Sequence, residues 1–157
     1  PRRPRGWVHR HVLPEGRWRV APVALVEQLA AAPATPPDGL VMTPRRVIRR
    51  MNSVIGDVVA SAAKVEDRAV LLNAHDAQVA GIADGEWVRV QSRSGQLVAP
   101  ARVRPDVVAG TVSVPHGLPA QNVSRLTTSG PGEVDRLTGM VVQSGLPVTI
   151  EKAEPPA

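Results

Sequence analysis

Turn-forming residues divide residues 73–117 so closely that every element between them must be short. Asn73 can cap a helix by accepting from its freed backbone N–H groups, and Asp76 lies near the positive helix end. Gly81 suits the left-handed position that closes such a helix, which predicts helix over residues 74–80. Asp84-Gly85 is turn chemistry leading into an alternating strand over residues 86–92. Ser94-Gly95 reads as a hairpin turn before a second strand near residues 96–104. Beyond Gly110 comes a third strand, residues 111–114, closed abruptly by Pro115-His116-Gly117. Residues 39–43 are an apolar run fit for a buried strand, and residues 143–150 supply a closing one. The pattern predicts a mainly β chain, a small barrel of about six strands with one or two short helices.

Composition limits the core and the chemistry. The chain of 157 residues is long enough for one domain with a real core. It contains no Phe and no Tyr, so Val, Leu, Ile and Ala must fill the interior, with Trp7, Trp18 and Trp87 the only large rings. The absence of Cys excludes disulfides, thiolate metal sites and cysteine nucleophiles. The formal charge of +5 comes almost wholly from Arg, the better fork for phosphate, though Arg and Ala enrichment equally follows from a GC-rich genome.

Three regions separate. Residues 1–38 mix Arg, Pro and apolar residues and end in a proline-rich loop. Within them, residues 22–32 have helical spacing (Val23, Leu25, Val26, Leu29), with Pro22 able to sit in the first turn. Residues 39–150 are the compact body, and residues 151–157 are a polar, Pro-rich tail expected to be flexible. No internal repeat is visible. A start on Pro1 suits a piece of a longer protein better than a processed one. No apolar run approaches the ~20 residues a bilayer span requires, and the basic N-terminus lacks the apolar stretch of a secretory signal. The expected location is the cytoplasm.

The densest polar cluster is Pro44-Arg45-Arg46-Val47-Ile48-Arg49-Arg50-Met51-Asn52-Ser53, directly after the first strand. Guanidinium groups grip phosphate oxygens in a fork, and amide or hydroxyl groups read the edges of polar heterocycles. Taken alone, such a cluster is more often an ordinary solvated turn. Further on stand Pro115-His116-Gly117-Leu118, then Asn122-Val123-Ser124-Arg125-Leu126-Thr127. Leu137-Thr138-Gly139-Met140 leads into Gln143-Ser144-Gly145-Leu146-Pro147-Val148.

The helix, acidic-Gly turn, hairpin, loop before Gly110 and strand into Pro-His-Gly, in that order, resemble the dinucleotide-binding C-terminal domain of molybdopterin oxidoreductases. This is the dimethyl sulfoxide reductase, formate dehydrogenase and nitrate reductase superfamily. The resemblance covers about residues 16–151, with residues 16–22 similar to the connector that precedes the domain in bacterial members. It implies a six-stranded double-psi β-barrel that binds molybdopterin guanine dinucleotide. It also implies a molybdenum or tungsten centre bound through the rest of the enzyme and an iron–sulfur cluster in a missing N-terminal region. The parent activity implied is two-electron redox chemistry, with formate or nitrate as plausible substrate.

The resemblance places Thr43, Arg45, Arg46, Arg49 and Asn52 at the cofactor, together with His116, Asn122, Ser124, Thr127, Gln143 and Ser144. Two departures stand out. Ser124 occupies a position where relatives usually show Asn, so either it makes a shorter contact or Asn122 reaches in. Gln143 or Ser144 stands where relatives often carry Lys. Taken alone, His116 is more often a structural turn histidine, and the last two are at least as readily solvent-facing strand residues.

No catalytic residue and no metal ligand is expected. His9 and His11 share a strand face by period-two spacing but lack a third ligand. Asp57, Glu66, Asp67 and Asp76 show no acid–base pairing, no triad or nucleophile elbow is recognisable, and no Gly-rich phosphate loop is present. The partners expected are the remaining domains of the parent oxidoreductase and, through them, a small redox substrate, with no nucleic acid and no membrane segment. The alternative is a double-psi barrel acting as a substrate-recognition module of an ATPase. A basic nucleic-acid binder is weakened by the lack of Phe and Tyr for base stacking.

Overall fold

A computed structural model of the chain describes residues 6–13, 15–31, 38–47, 65–135 and 137–156. The chain divides into two compact units, Pro1–Pro36 and Pro37–Ala157.

Among its described residues the first unit holds two helices, α1 (Trp7–His11) and α2 (Val23–Ala30), and neither has a buried residue. The strand face expected for His9 and His11 is therefore corrected to a helix. Gly6 enters it in the left-handed conformation, and Val12 N–H closes it on the carbonyl of Val8. Helical spacing brings residues four apart together, so Trp7 meets His11 with ring centroids 5.5 Å apart. His9 instead meets Trp18 edge-on at 6.3 Å. Helix α2 falls within the expected residues 22–32, with Pro22 as its N-cap rather than inside the first turn.

The second unit is a closed barrel of six strands: β1 (Leu40–Arg45), β2 (Val70–Leu72), β3 (Trp87–Gln91), β4 (Gln96–Val103), β5 (Thr111–Pro115) and β6 (Leu146–Lys152). Among the described residues, two short α-helices join them, α3 (Val65–Arg68) and α4 (Ala74–Val79). Around the barrel the order is β1-β5-β2-β4-β3-β6. Pairs β1·β5 and β2·β4 are parallel and the rest antiparallel. Exchanging β1, β2 and β3 for β4, β5 and β6 reproduces both the order and every pairing direction. This two-fold arrangement is the double-psi barrel, and it exists without a sequence repeat.

Alternation builds the core. Val88 and Val90 of β3, Leu97, Ala99 and Ala101 of β4, and Val112 and Val114 of β5 point inward, joined by Met42, Val70, Leu72 and Val148. Burying a Val or Leu side chain stabilises by about 1.5–3 kcal/mol relative to exposure. With no Phe or Tyr available, many such small contributions stand in for a few large ones. Helix α4 is capped as expected, its Asn73 side chain accepting from the N–H of His75 at 2.9 Å.

Beyond one-residue shifts, three boundaries and one whole strand differ from expectation. Strand β1 runs past Thr43 through Pro44 to Arg45. Val41 N–H bonds Gly110 and the Arg45 carbonyl accepts from His116, so these residues face β5 and Pro44 faces the other way. On that side the pairing with β6 has ended at Met42↔Leu146, so a residue lacking an N–H loses nothing there. Strand β2 was not foreseen. Strand β6 begins at Leu146, so Gln143 and Ser144 precede it. It also continues through Glu151 and Lys152, expected to be tail, because Lys152 pairs with Val88.

Candidate functional site

The pairing directions fix which loops meet. The C-terminal ends of β1 and β5, the N-terminal ends of β2 and β6, and the β3–β4 hairpin share one end of the barrel. Here His116 N–H donates to the Arg45 carbonyl at 2.8 Å, and Gly145 N–H donates to the Met42 carbonyl at 2.9 Å. Three segments far apart in sequence, residues 45–47, 115–124 and 143–145, are thereby tied to one surface.

A 3-10 turn (Val123–Leu126) closes this end, with Val123 and Leu126 buried in the barrel core. Asn122 caps the turn, its Oδ1 accepting from Ser124 N–H at 3.0 Å. Thr127 ends it by donating its hydroxyl to the Ser124 carbonyl at 3.0 Å. The hairpin seats the turn from the other side, where Ser92 Oγ donates to the Leu126 carbonyl at 2.8 Å.

His116, Asn122 and Ser124 line one cavity of about 180 Å³ together with Gly117, Leu118 and Pro119. Both candidates for the departed Asn position therefore face the same space. Asn122 commits its oxygen to the cap, which leaves its amide nitrogen as the donor. Ser124 contributes a hydroxyl.

The remaining candidates sort by position. Arg46 is exposed just beyond β1. Arg45 is half-buried on the last residue of the strand rather than on a turn, and its Nη2 donates to the Ala69 carbonyl at 2.9 Å. Thr43 is exposed in mid-strand, paired in register with Ser113. Thr127 spends its hydroxyl on the turn. Gln143 and Ser144 arrive at the shared end through Gly145. Arg49 and Asn52 lie outside the described residues.

The opposite end of the barrel closes on itself. Asp84 accepts from Val103 N–H at 2.8 Å and from Arg102 at 2.7 Å. Asp76 accepts from Gly110 N–H at 2.7 Å, Asn73 donates to the Val107 carbonyl at 2.6 Å, and Arg104 pairs with Asp106 at 3.2 Å. These bonds hold the Asp84 carboxyl below its ordinary value, chiefly through the Val103 N–H and then Arg102. The Ala83 N–H and Lys152 lower Glu86, and Arg104 lowers Asp106. The ends related by the pseudo-two-fold are thus unequal. One is stitched by its own carboxylates, whereas the other gathers arginine, histidine, amide and hydroxyl groups.

That second donor set is chemistry for an anionic, heterocyclic ligand: guanidinium for phosphate oxygens, amide and hydroxyl for ring edges. Residues 40–141 match the family model described as "Molydopterin dinucleotide binding domain". The chain belongs to this molybdopterin dinucleotide-binding family. Among solved structures, acetylene hydratase from Pelobacter acetylenicus is similar at a TM-score of 0.64 with 21% identity, over 73% of this chain and 18% of that one. At that identity the likeness is one of fold, and the chain spans under a fifth of the hydratase. A rationally designed protein, mkDPBB_sym_86, aligns at a TM-score of 0.37 with 19% identity, over 76% of this chain and 100% of that one. No curated protein sequence matches the chain. Among the described residues no helix is long and apolar enough to cross a membrane.

Two features of this end escaped the sequence reading. The Arg45–Ala69 contact depends on the unforeseen β2. The ion pair between Arg93 and Glu133 joins a hairpin tip to a loop that carries no periodicity.

Proposed function

We propose that this chain is the cap that holds the nucleotide arm of a molybdopterin dinucleotide inside a larger oxidoreductase, using the barrel end that carries His116. The observation that supports this most is the His116–Arg45 backbone bond. It joins the arginine-bearing strand end to the turn that opens the His116, Asn122 and Ser124 cavity. In this reading Arg46 grips phosphate oxygens, with Arg45 behind it as both anchor and secondary donor. His116, the Asn122 amide and the Ser124 hydroxyl donate to the ligand from the cavity. Gln143 and Ser144 flank it, and Arg49 and Asn52 complete the arginine segment. Thr127 and Thr43 contribute through the turn and the strand rather than by contact.

When bound, the cofactor supplies two-electron redox chemistry at molybdenum or tungsten, with formate or nitrate as the substrate class we favour. This chain orients and retains it, while metal ligands and any iron–sulfur cluster belong to the remaining domains. The cytoplasm is the compartment this reading implies. The direct test is cofactor content: in the complete protein, Arg46→Ala should lower the molybdenum and nucleotide recovered per polypeptide, and full retention would refute the reading.

A further inference from the structure

Between the 3-10 turn and β6 the chain makes a small hairpin of its own. Val142 N–H donates to the Glu133 carbonyl at 2.7 Å, Val134 bridges Val141, and Asp135 N–H donates to the Met140 carbonyl at 2.8 Å. The Asp135 carboxylate organises the tip. Its Oδ1 accepts from the N–H groups of Leu137 and Thr138 at 2.9 and 2.8 Å, and from the Thr138 hydroxyl at 3.0 Å. Gly139, in the left-handed conformation, donates its N–H back to the Asp135 carbonyl at 2.8 Å. The base of the hairpin is fastened to the barrel end that carries His116, through Glu133 to Arg93 and through Gly145 to Met42. This bonded tip presents two apolar side chains to solvent, Leu137 at 47% exposure and Met140 at 68%. Among the described residues of the barrel unit, the other exposed large apolar side chains are Val79 and Val108, both at the opposite end. Exposed apolar residues scattered singly need no explanation, but two held outward on one rigid loop do.

We infer that the hairpin tip is a docking knob, and that Leu137 and Met140 seat against an apolar surface of the domain that holds the metal end of the dinucleotide. The inference rests on the cap reading above and names the contact through which the cap meets its partner. A ligand gripped here by its nucleotide arm carries its metal end away from the barrel, so the domain holding the metal must face this end. The knob stands on that same end, fastened beside the His116 turn. The chain spans only 18% of the hydratase, so a protein of that size has ample polypeptide to face it. A second copy of this chain suits the knob less well. A symmetric contact at this end would set the exposed Arg46 and Arg125 against their own counterparts, and like charges brought together oppose association. The bonds of Asp135 and Gly139 fix the tip before it docks, so little loop entropy is lost on contact. Asp135 is in this account a positioning residue, and Leu137 and Met140 make the contact.

The test is made on the complete protein, with its bound nucleotide counted in the same sample. Leu137→Cys and Met140→Cys are prepared separately and treated with a maleimide, native and then denatured, and the modified peptide is followed by mass spectrometry. Each introduced thiol should react at least about tenfold more slowly in the native protein, because a well-packed contact excludes the reagent. A smaller difference at either position overturns the docking. The occupant is identified by replacing methionine with its diazirine analogue and sequencing the peptides cross-linked to position 140 on illumination. They should come from the same polypeptide but from outside residues 1–157. Cross-links to residues within 1–157, in the same molecule or in a second copy, overturn the docking alone if the sample carries its nucleotide. A wild type that holds no nucleotide overturns the cap reading and the docking with it.

Discussion

Gly95 stands so close to Arg125 that a Cβ added to it would lie 2.4 Å from the Arg125 carbonyl oxygen. The hairpin tip and the 3-10 turn are therefore in backbone contact, and Ser92 reinforces the same joint through Leu126. Relieving that clash means shifting either the hairpin tip or the turn that carries buried Val123 and Leu126. Gly95→Ala should destabilise the protein by about 1–3 kcal/mol, the usual cost of overpacking. Chemical denaturation measures this, and an unchanged midpoint would mean that the turn is not seated as described.

The two arginines at the end of β1 should separate by experiment. Arg45 is half-buried and bonded to Ala69, so Arg45→Ala removes a charge-assisted bond and should lower stability by about 1.5–3 kcal/mol. Arg46 is exposed, so Arg46→Ala should change stability by no more than about 0.5 kcal/mol. Cofactor content should fall in both, but only Arg45→Ala should also lower the melting temperature. Equal melting shifts in the two variants would contradict the division of roles.

The self-closed end of the barrel should be acid-sensitive. Asp84, Glu86 and Asp106 all have carboxyls held below their ordinary values, 3.8 for the aspartates and 4.5 for the glutamate. A carboxyl lowered in the folded state contributes stability that is complete above its ordinary value. That contribution is lost as pH falls through the folded value. Thermal stability should therefore drop as pH falls below about 4.5, and Asp84→Asn should make the drop shallower. Melting curves at a series of pH values decide this, and an identical slope in Asp84→Asn would remove Asp84 from the explanation.

How much of this was legible in the sequence follows from range. Strands β3, β4 and β5 alternate cleanly between Gly-bearing turns, and helix α4 announces itself through Asn73 and Gly81, because each signal is local. Strand β2 is three residues long, too short for alternation to register, and it exists because β4 and β5 flank it. Pro44 suggested an end to β1, yet its missing N–H faces the side where the pairing with β6 has stopped. His9 and His11 fitted a period of two, but Gly6 starts a helix there. His116, Asn122 and Ser124, which line one cavity, could be singled out from their order along the chain. The Arg45–Ala69 and Arg93–Glu133 contacts could not, since only barrel closure brings those residues together.

Far-UV circular dichroism checks the barrel itself. Among the described residues, six strands against four short α-helices should give a spectrum dominated by β structure with a minor helical part. A mainly helical spectrum would be incompatible with the closed order β1-β5-β2-β4-β3-β6.

The most direct measurement of the central claim is an experimental structure of the complete protein with its dinucleotide bound. The account expects phosphate oxygens within hydrogen-bonding reach of Arg46, with His116, Asn122 and Ser124 on the same ligand. Density for the dinucleotide at the opposite end of the barrel, against Asn73, Asp84 and Asp106, would contradict it.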